Sequence, residues 1–243
     1  MDYLKEFNSK MLNLDRSKTT AAIFSDFLTM SAYSIAQPFY RSEAIEQKYL
    51  DIAKQYSKEQ VDVFGQMLAL VVSALEEKFQ DFLEQVFSTN DMGASHKGQF
   101  FTPYHVSKLM SELTGYNIRI DMENKDILTL SEPCCGSGGM VIAFAESMKE
   151  SGYNYQKQLF VEAIDIDDLC FKMTYIQLSL LGVPARVMRG DTIAYKFHET
   201  LYTPMYFINN IHAKLAEREN APVATKIIEP VLSKGNQLSL FEM

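Results

Sequence analysis

The 243-residue sequence has no tryptophan, only three cysteines and seven prolines, and fewer basic than acidic side chains, 23 against 31. The missing tryptophan says nothing about function. The resulting net charge of −8 argues against a protein that coats DNA or RNA by charge alone, because neutralising phosphates takes clustered Lys and Arg. It leaves room for a nucleic acid held through a partner or a local basic face. Cys134 and Cys135 are adjacent and Cys170 stands alone, too few for a disulfide framework or a four-ligand zinc site. They read as small buried residues, not nucleophiles, in a reducing cytoplasm. No apolar run approaches the roughly 18 residues of a membrane span. The N-terminal MDYLKEFNSK has no apolar core of signal-peptide type. With 47% hydrophobic residues and 11 glycines, disorder, collagen and repeat arrays are excluded.

Three regions follow from the pattern. Residues 1–95 read as a helical bundle. Within them Val61, Phe64, Met67, Leu68, Val71, Leu75, Phe79, Phe82, Leu83 and Val86 recur at three- and four-residue steps, which predicts one helix over 57–87, opened by a capping box of Ser57 and Gln60. From about residue 96 to 220 the grammar changes. A short helix around 104–113 precedes strands at 127–131, 159–165 and 185–189, with helices at 138–149 and 167–181 between them. Strand and helix in alternation imply right-handed crossovers and a mostly parallel α/β sheet. Residues 221–243 read as an extended arm.

The segment Leu130-Ser131-Glu132-Pro133-Cys134-Cys135-Gly136-Ser137-Gly138-Gly139 falls between the first strand and its helix. Glycines there permit backbone angles that side chains forbid, and the helix start offers unpaired N–H groups. In an open α/β sheet a ligand sits at such carboxyl ends of strands. The spacing is neither the dinucleotide fingerprint nor a P-loop. Asp165 ends the second strand, and Gly190-Asp191-Thr192 ends the third. Carboxylates at successive strand ends suit a ligand with a vicinal diol and an exocyclic amine, as in adenosine. Asp165, Asp167 and Asp168 could alternatively cap the next helix.

The run Glu132-Pro133-Cys134-Cys135-Gly136-Ser137-Gly138 is similar to the cofactor loop of S-adenosylmethionine-dependent DNA methyltransferases. Gly98-Gln99-Phe100-Phe101-Thr102-Pro103 resembles the segment that precedes that loop in the adenine-N6 group. Their order after a helical region resembles the modification subunit of type I restriction systems. The resemblance implies a Rossmann-like methyltransferase domain over 96–220. It places Phe101, Thr102, Pro103, Glu132, Gly136 and Gly138 around the methionine part of the cofactor, Asp165 at the ribose and Asp191 at the adenine, with Pro133, Ser137 and Ile166 also among the cofactor-binding residues. It also implies DNA as substrate, with sequence recognition borrowed from a specificity subunit.

The Asn/Asp-Pro-Pro-aromatic turn that accepts the hydrogens of adenine N6 in that family is missing. Its ungapped counterpart is Thr203-Pro204-Met205-Tyr206, in which a hydroxyl replaces the amide or carboxylate acceptor and Met205 replaces the second proline. Thr203, Pro204 and Tyr206 are thus the candidate catalytic residues of a degenerate, weak or silent site. The alternative is a non-catalytic, cofactor-binding regulator or scaffold of a restriction-modification or replication complex. Finally, Gln237, Leu238, Leu240 and Phe241 resemble the peptide by which bacterial replication and repair proteins bind the sliding clamp.

Overall fold

A computed structural model describes residues 1–92, 101–123 and 125–220. The helical region comprises α1 (Tyr3–Leu14), α2 (Thr20–Tyr40), α3 (Glu43–Ala53), α4 (Lys58–Glu77) and α5 (Phe82–Thr89). Ser57 and Gln60 form the expected capping box at the start of α4. The single helix expected over 57–87 is two. Lys78 turns to an extended conformation, and Asp81 starts α5 by accepting the Glu84 amide. Continuous periodicity across 75–83 concealed this break, because both helices bury their apolar faces in the same core. That core is strongly aromatic. Phe7 meets Phe27 and Phe82 edge to face, with centroids 5.1 and 5.8 Å apart, contacts worth about 0.5–1.5 kcal/mol each beyond burial.

After α6 (Tyr104–Glu123) come β1 (Leu128–Glu132), α7 (Gly139–Glu150), a single turn α8 (Tyr155–Gln158), β2 (Leu159–Asp165), α9 (Asp168–Leu181), β3 (Ala185–Asp191) and β4 (Lys196–Tyr202). Two helices close the described chain, α10 (Pro204–Ile208) and α11 (Ile211–Asn220). The sheet order is β1-β2-β3-β4. The first three strands are parallel, and β4 runs antiparallel to β3. This is the mostly parallel α/β sheet read from the sequence.

Both crossovers step the same way along the sheet, so right-handed connections put α7 and α9 on one face. α9 is buried on nearly every side. It packs on β2 and β3 inwardly and on α2, α4 and α5 outwardly, so one hydrophobic cluster runs through the bundle and the sheet without a break at residue 95. The opposite face of the sheet is largely open. It carries a cleft of about 620 Å³ lined by Thr129, Ser131, Glu162, Arg186 and Tyr202 among others, and α11 covers its lower end through Ile211 packed with Ile127 and Phe160.

Candidate functional site

The turn after β1 is shaped by its glycines and held by its neighbours. Gly136 has φ +55° and Gly138 φ +97°, both in the left-handed region where a side chain is strained. The Cys135 amide donates to the Ile164 carbonyl at 2.8 Å, tying the turn to β2. The Gly136 amide donates to Asp165 Oδ2 at 2.8 Å, and Thr174 Oγ1 on α9 donates to the Gly136 carbonyl at 2.8 Å. α7 then begins at Gly139 with no side-chain cap.

Asp165 Oδ1 accepts the Asp167 amide at 2.9 Å. Burial lifts its carboxyl above the ordinary range, while the amides of Asp167 and Gly136 pull it down. The capping role that Asp165, Asp167 and Asp168 could share belongs to Asp167, whose Oδ1 accepts the Leu169 and Cys170 amides. Each Asp165 oxygen therefore holds one backbone N–H and keeps a second acceptor position. Next to it Ile166 leaves 70% of its surface exposed, an uncommon position for a large aliphatic side chain at the mouth of a sheet.

Asp191 Oδ1 accepts the Ile193 and Ala194 amides, and Thr192 Oγ1 donates to the Pro133 carbonyl at 2.7 Å. The ends of β1 and β3 are thereby joined. Glu132 Oε1 accepts the Cys134 amide at 3.3 Å. Phe101 closes the other side. Its ring lies edge-on to Phe87, 5.2 Å between centroids, and occupies the space a Cβ at Gly136 would enter, 3.1 Å away. Thr102 and Pro103 are exposed at the start of α6, where the Pro103 carbonyl accepts the Val106 and Ser107 amides. Gly98, Gln99 and Phe100, and the tail residues Gln237, Leu238, Leu240 and Phe241, lie outside the described residues.

The structure thus gathers Phe101, Pro133, Gly136, Asp165 and Asp191 around one set of strand ends. The structure places the expected catalytic turn, Thr203, Pro204 and Tyr206, elsewhere. β4 is antiparallel, so its last residues lie beside the first residues of β3. Thr203 is fully buried there. Its amide donates to the Ala185 carbonyl at 3.0 Å, its hydroxyl donates to the Val183 carbonyl at 2.7 Å, and it accepts the Ala185 amide at 2.9 Å. Ala185 pairs with Val161, four residues before Asp165, or about 13 Å along the strand. Pro204 opens α10. Tyr206 packs on Tyr202, with centroids 4.3 Å apart, and on Phe160, lining the cleft of the open face. The local sequence from Phe197 to Tyr206 carries no sign of strand direction, so the ungapped alignment could not reveal the reversal.

Of the cysteines, Cys135 and Cys170 are buried but Cys134 is exposed. Burial pushes the Cys135 and Cys170 thiols up, away from thiolate chemistry. Among the described residues no group of His, Cys, Asp and Glu could hold a metal, and no helix is long and apolar enough to cross a membrane.

Sequence reasoning missed Asp81, Thr174 and Gln177. Asp81 is buried and 56 residues from Ser137, whose hydroxyl donates to its Oδ2. Gln177 Nε2 donates to Asp81 Oδ1 and to the Ser137 carbonyl, both at 2.8 Å. Burial pushes the Asp81 carboxyl up to about 6, against the pull of Ser137 and Gln177. No local motif connects these positions.

Comparison with known proteins returns the same theme. The profile of the family described as N-6 DNA Methylase matches residues 75–221. The type I restriction enzyme MjaIX methylase subunit of Methanocaldococcus jannaschii is 24% identical over 110 residues. That stretch is 45% of this chain and 17% of that protein, so the match spans less than a fifth of this relative's length. Among solved structures, a Listeria monocytogenes chain described as a class I S-adenosylmethionine-dependent methyltransferase has a TM-score of 0.39 and 12% identity, covering 80% of this chain and 55% of that one. The methyltransferase subunit of a Streptococcus thermophilus type I restriction-modification system has a TM-score of 0.35 and 12% identity over 75% and 55%.

Proposed function

Since the chain belongs to the N-6 DNA methylase family, we propose that it binds S-adenosylmethionine at the glycine turn and the ends of β2 and β3, and serves methylation of adenine N6 in DNA. The observation that carries this reading is the convergence of two segments far apart in sequence. Phe101 packs on Gly136, and the Gly136 amide is held by Asp165. The residues present fit the cofactor. Asp165 has one acceptor position left on each oxygen for a pair of ribose hydroxyls. Ile166 offers exposed apolar surface beside it for the face of a purine. Asp191 engages its own loop through Oδ1, leaving Oδ2 to accept from an exocyclic amine. Phe101, Thr102, Pro103, Glu132, Pro133, Ser137 and Gly138 border the place left for the methionine part. When bound, the cofactor supplies an electrophilic methyl group on a sulfonium.

A second reading has its own support. Thr203 is fully buried, with its amide and hydroxyl engaged by Ala185 and Val183 and its carbonyl by the Tyr206 amide, so it is not placed to hold adenine N6. In that reading the chain is a cofactor-binding regulator or scaffold, and methyl transfer needs a partner that brings both the base-holding turn and the DNA. Chain acidity favours such dependence, since residues 51–168 hold 19 acids against 9 bases. A specificity subunit in the cytoplasm is the partner the first reading calls for.

Calorimetric titration with S-adenosylmethionine and transfer of labelled methyl to mixed genomic DNA, with and without a specificity subunit, test both. Saturable binding supports the shared cofactor site, and its absence overturns both readings. Label in adenine selects the first reading, and binding without label under either condition selects the second.

A further inference from the structure

A carboxylate buried 2% exposed is costly unless donors surround it, and the proposed chemistry leaves Asp81 without a task. Its surroundings assign one. Oδ1 accepts the Glu84 amide at 3.1 Å and Gln177 Nε2 at 2.8 Å, while Oδ2 accepts a hydrogen bond from the Ser137 hydroxyl. Gln177 completes a ring, since its Nε2 also donates to the Ser137 carbonyl at 2.8 Å and its Oε1 accepts the Leu83 amide at 3.1 Å. An ionised carboxylate accepts on both sides at once. An amide in its place could keep its oxygen on the Glu84 and Gln177 donors only if the Ser137 hydroxyl reversed to accept from its NH₂.

The same oxygen explains a glycine that backbone angles do not. Gly139 has no left-handed φ, yet a Cβ there would come within 2.7 Å of Asp81 Oδ2. Asp81 therefore lies directly against the turn, at the start of a helix whose Glu84 amide it also caps. We propose that Asp81 is a positioning residue that fixes Ser137, Gly138 and Gly139 in the conformation that receives the cofactor, and so makes the N-terminal bundle part of the binding site. This rests on the cofactor reading given above.

Asp81→Ser is the informative substitution. Serine caps a helix as well as aspartate does, so α5 keeps its start, whereas Oδ2, the oxygen that accepts from the Ser137 hydroxyl, is gone. In the full chain, binding of S-adenosylhomocysteine by calorimetry should weaken about tenfold, the loss of one charge-assisted hydrogen bond. Amide exchange at 137–139 should accelerate while β2 and β3 stay protected. Gly139→Ala should weaken binding similarly, and Asp81→Ser placed on top of it should restore part of the loss, because the obstructing carboxylate is removed. A role limited to stability would give no such rescue. Unchanged affinity together with unchanged exchange at 137–139 in folded Asp81→Ser overturns the proposal. Should wild type bind no S-adenosylhomocysteine, the cofactor reading fails, and the exchange at 137–139 still decides whether Asp81 holds the turn. If Asp81→Ser does not fold, Ser137→Ala removes the same contact from the other partner and is judged by the same two measurements.

Discussion

The two ends of the sheet are built from similar residues and do opposite things with them. At the carboxyl ends of β1–β3, Asp165 holds one backbone amide on each oxygen, and Ile166 stands in solvent. Hydrogen-bonding capacity is left over there. At the other end, Thr203 is fully buried and its amide and hydroxyl are consumed by Ala185 and Val183. Polar residues bind ligands with the capacity that folding has not used, and strand direction decides which end retains it. Had β4 run parallel, Thr203 would have faced the cofactor end. Because it runs antiparallel, Thr203 stitches the base of the sheet.

The sharpest way to break this contrast is Asp165→Ala. It should lower affinity for S-adenosylhomocysteine about a hundredfold, since two charge-assisted hydrogen bonds of about 1.5 kcal/mol each are lost. The variant also releases the Gly136 and Asp167 amides, so the thermal midpoint should fall as well. Affinity within a factor of about three of wild type would remove the ligand from this end of the sheet.

At the closed end the outcome should reverse. Thr203→Val keeps the branched shape but strands the Val183 carbonyl and the Ala185 amide in a buried site, at a cost of about 2 kcal/mol by denaturant unfolding. Affinity for S-adenosylhomocysteine should not change. Weakened binding in a folded Thr203→Val protein would return this turn to the ligand site.

What could be read from the sequence divides along the same line. Strands β1, β2 and β3 were legible because each is a short run, between loop signals, whose apolar residues are buried on the covered face of the sheet. The glycine turn and Asp165 were legible because they lie at fixed places relative to those strands. Asp81 was not. Its partners Ser137 and Gln177 are 56 and 96 residues away, and an aspartate before a helix reads as a cap, which it also is. The helix break at 78–81 was hidden because periodicity reports which face is buried and not whether the backbone is continuous. The direction of β4 was hidden for a different reason. Its burial alternates between exposed and half-buried residues until Leu201, a pattern that fits an edge strand in either direction, so only the pairing of Arg186 with Tyr202 and Asp191 with Lys196 settles it. α10 and α11 follow from Pro204 and a mixed sequence with weak periodicity, and their existence depends on packing under the open face.

A smaller effect is expected at Gly136, where conformation and close approach act together. Gly136→Ala must hold alanine at φ +55° with its Cβ 3.1 Å from the Phe101 ring, which should cost about 1 kcal/mol of stability. Affinity should fall about fivefold as the turn shifts. Gly65, which has open space around its Cβ position, is the control, and Gly65→Ala within α4 should be neutral or stabilising by less than about 1 kcal/mol.

The least disruptive substitution tests the placement of this turn most directly. Tyr206 stands where the methyltransferase pattern places the aromatic residue that stacks on the target base, yet its ring rests on Tyr202 and Phe160. Tyr206→Phe preserves both contacts, so stability should stay within about 0.5 kcal/mol of wild type, and cofactor affinity should be unaltered. Tyr206→Ala removes the ring from Tyr202 and should cost stability in proportion to the lost aromatic contact and burial, about 2–4 kcal/mol, while still leaving cofactor affinity in place in the folded fraction. If either variant instead abolished methyl transfer at unchanged stability and unchanged cofactor binding, Tyr206 would be meeting the base. β4 would then have to leave β3, breaking the pairs from Arg186–Tyr202 to Asp191–Lys196, before the chain could act.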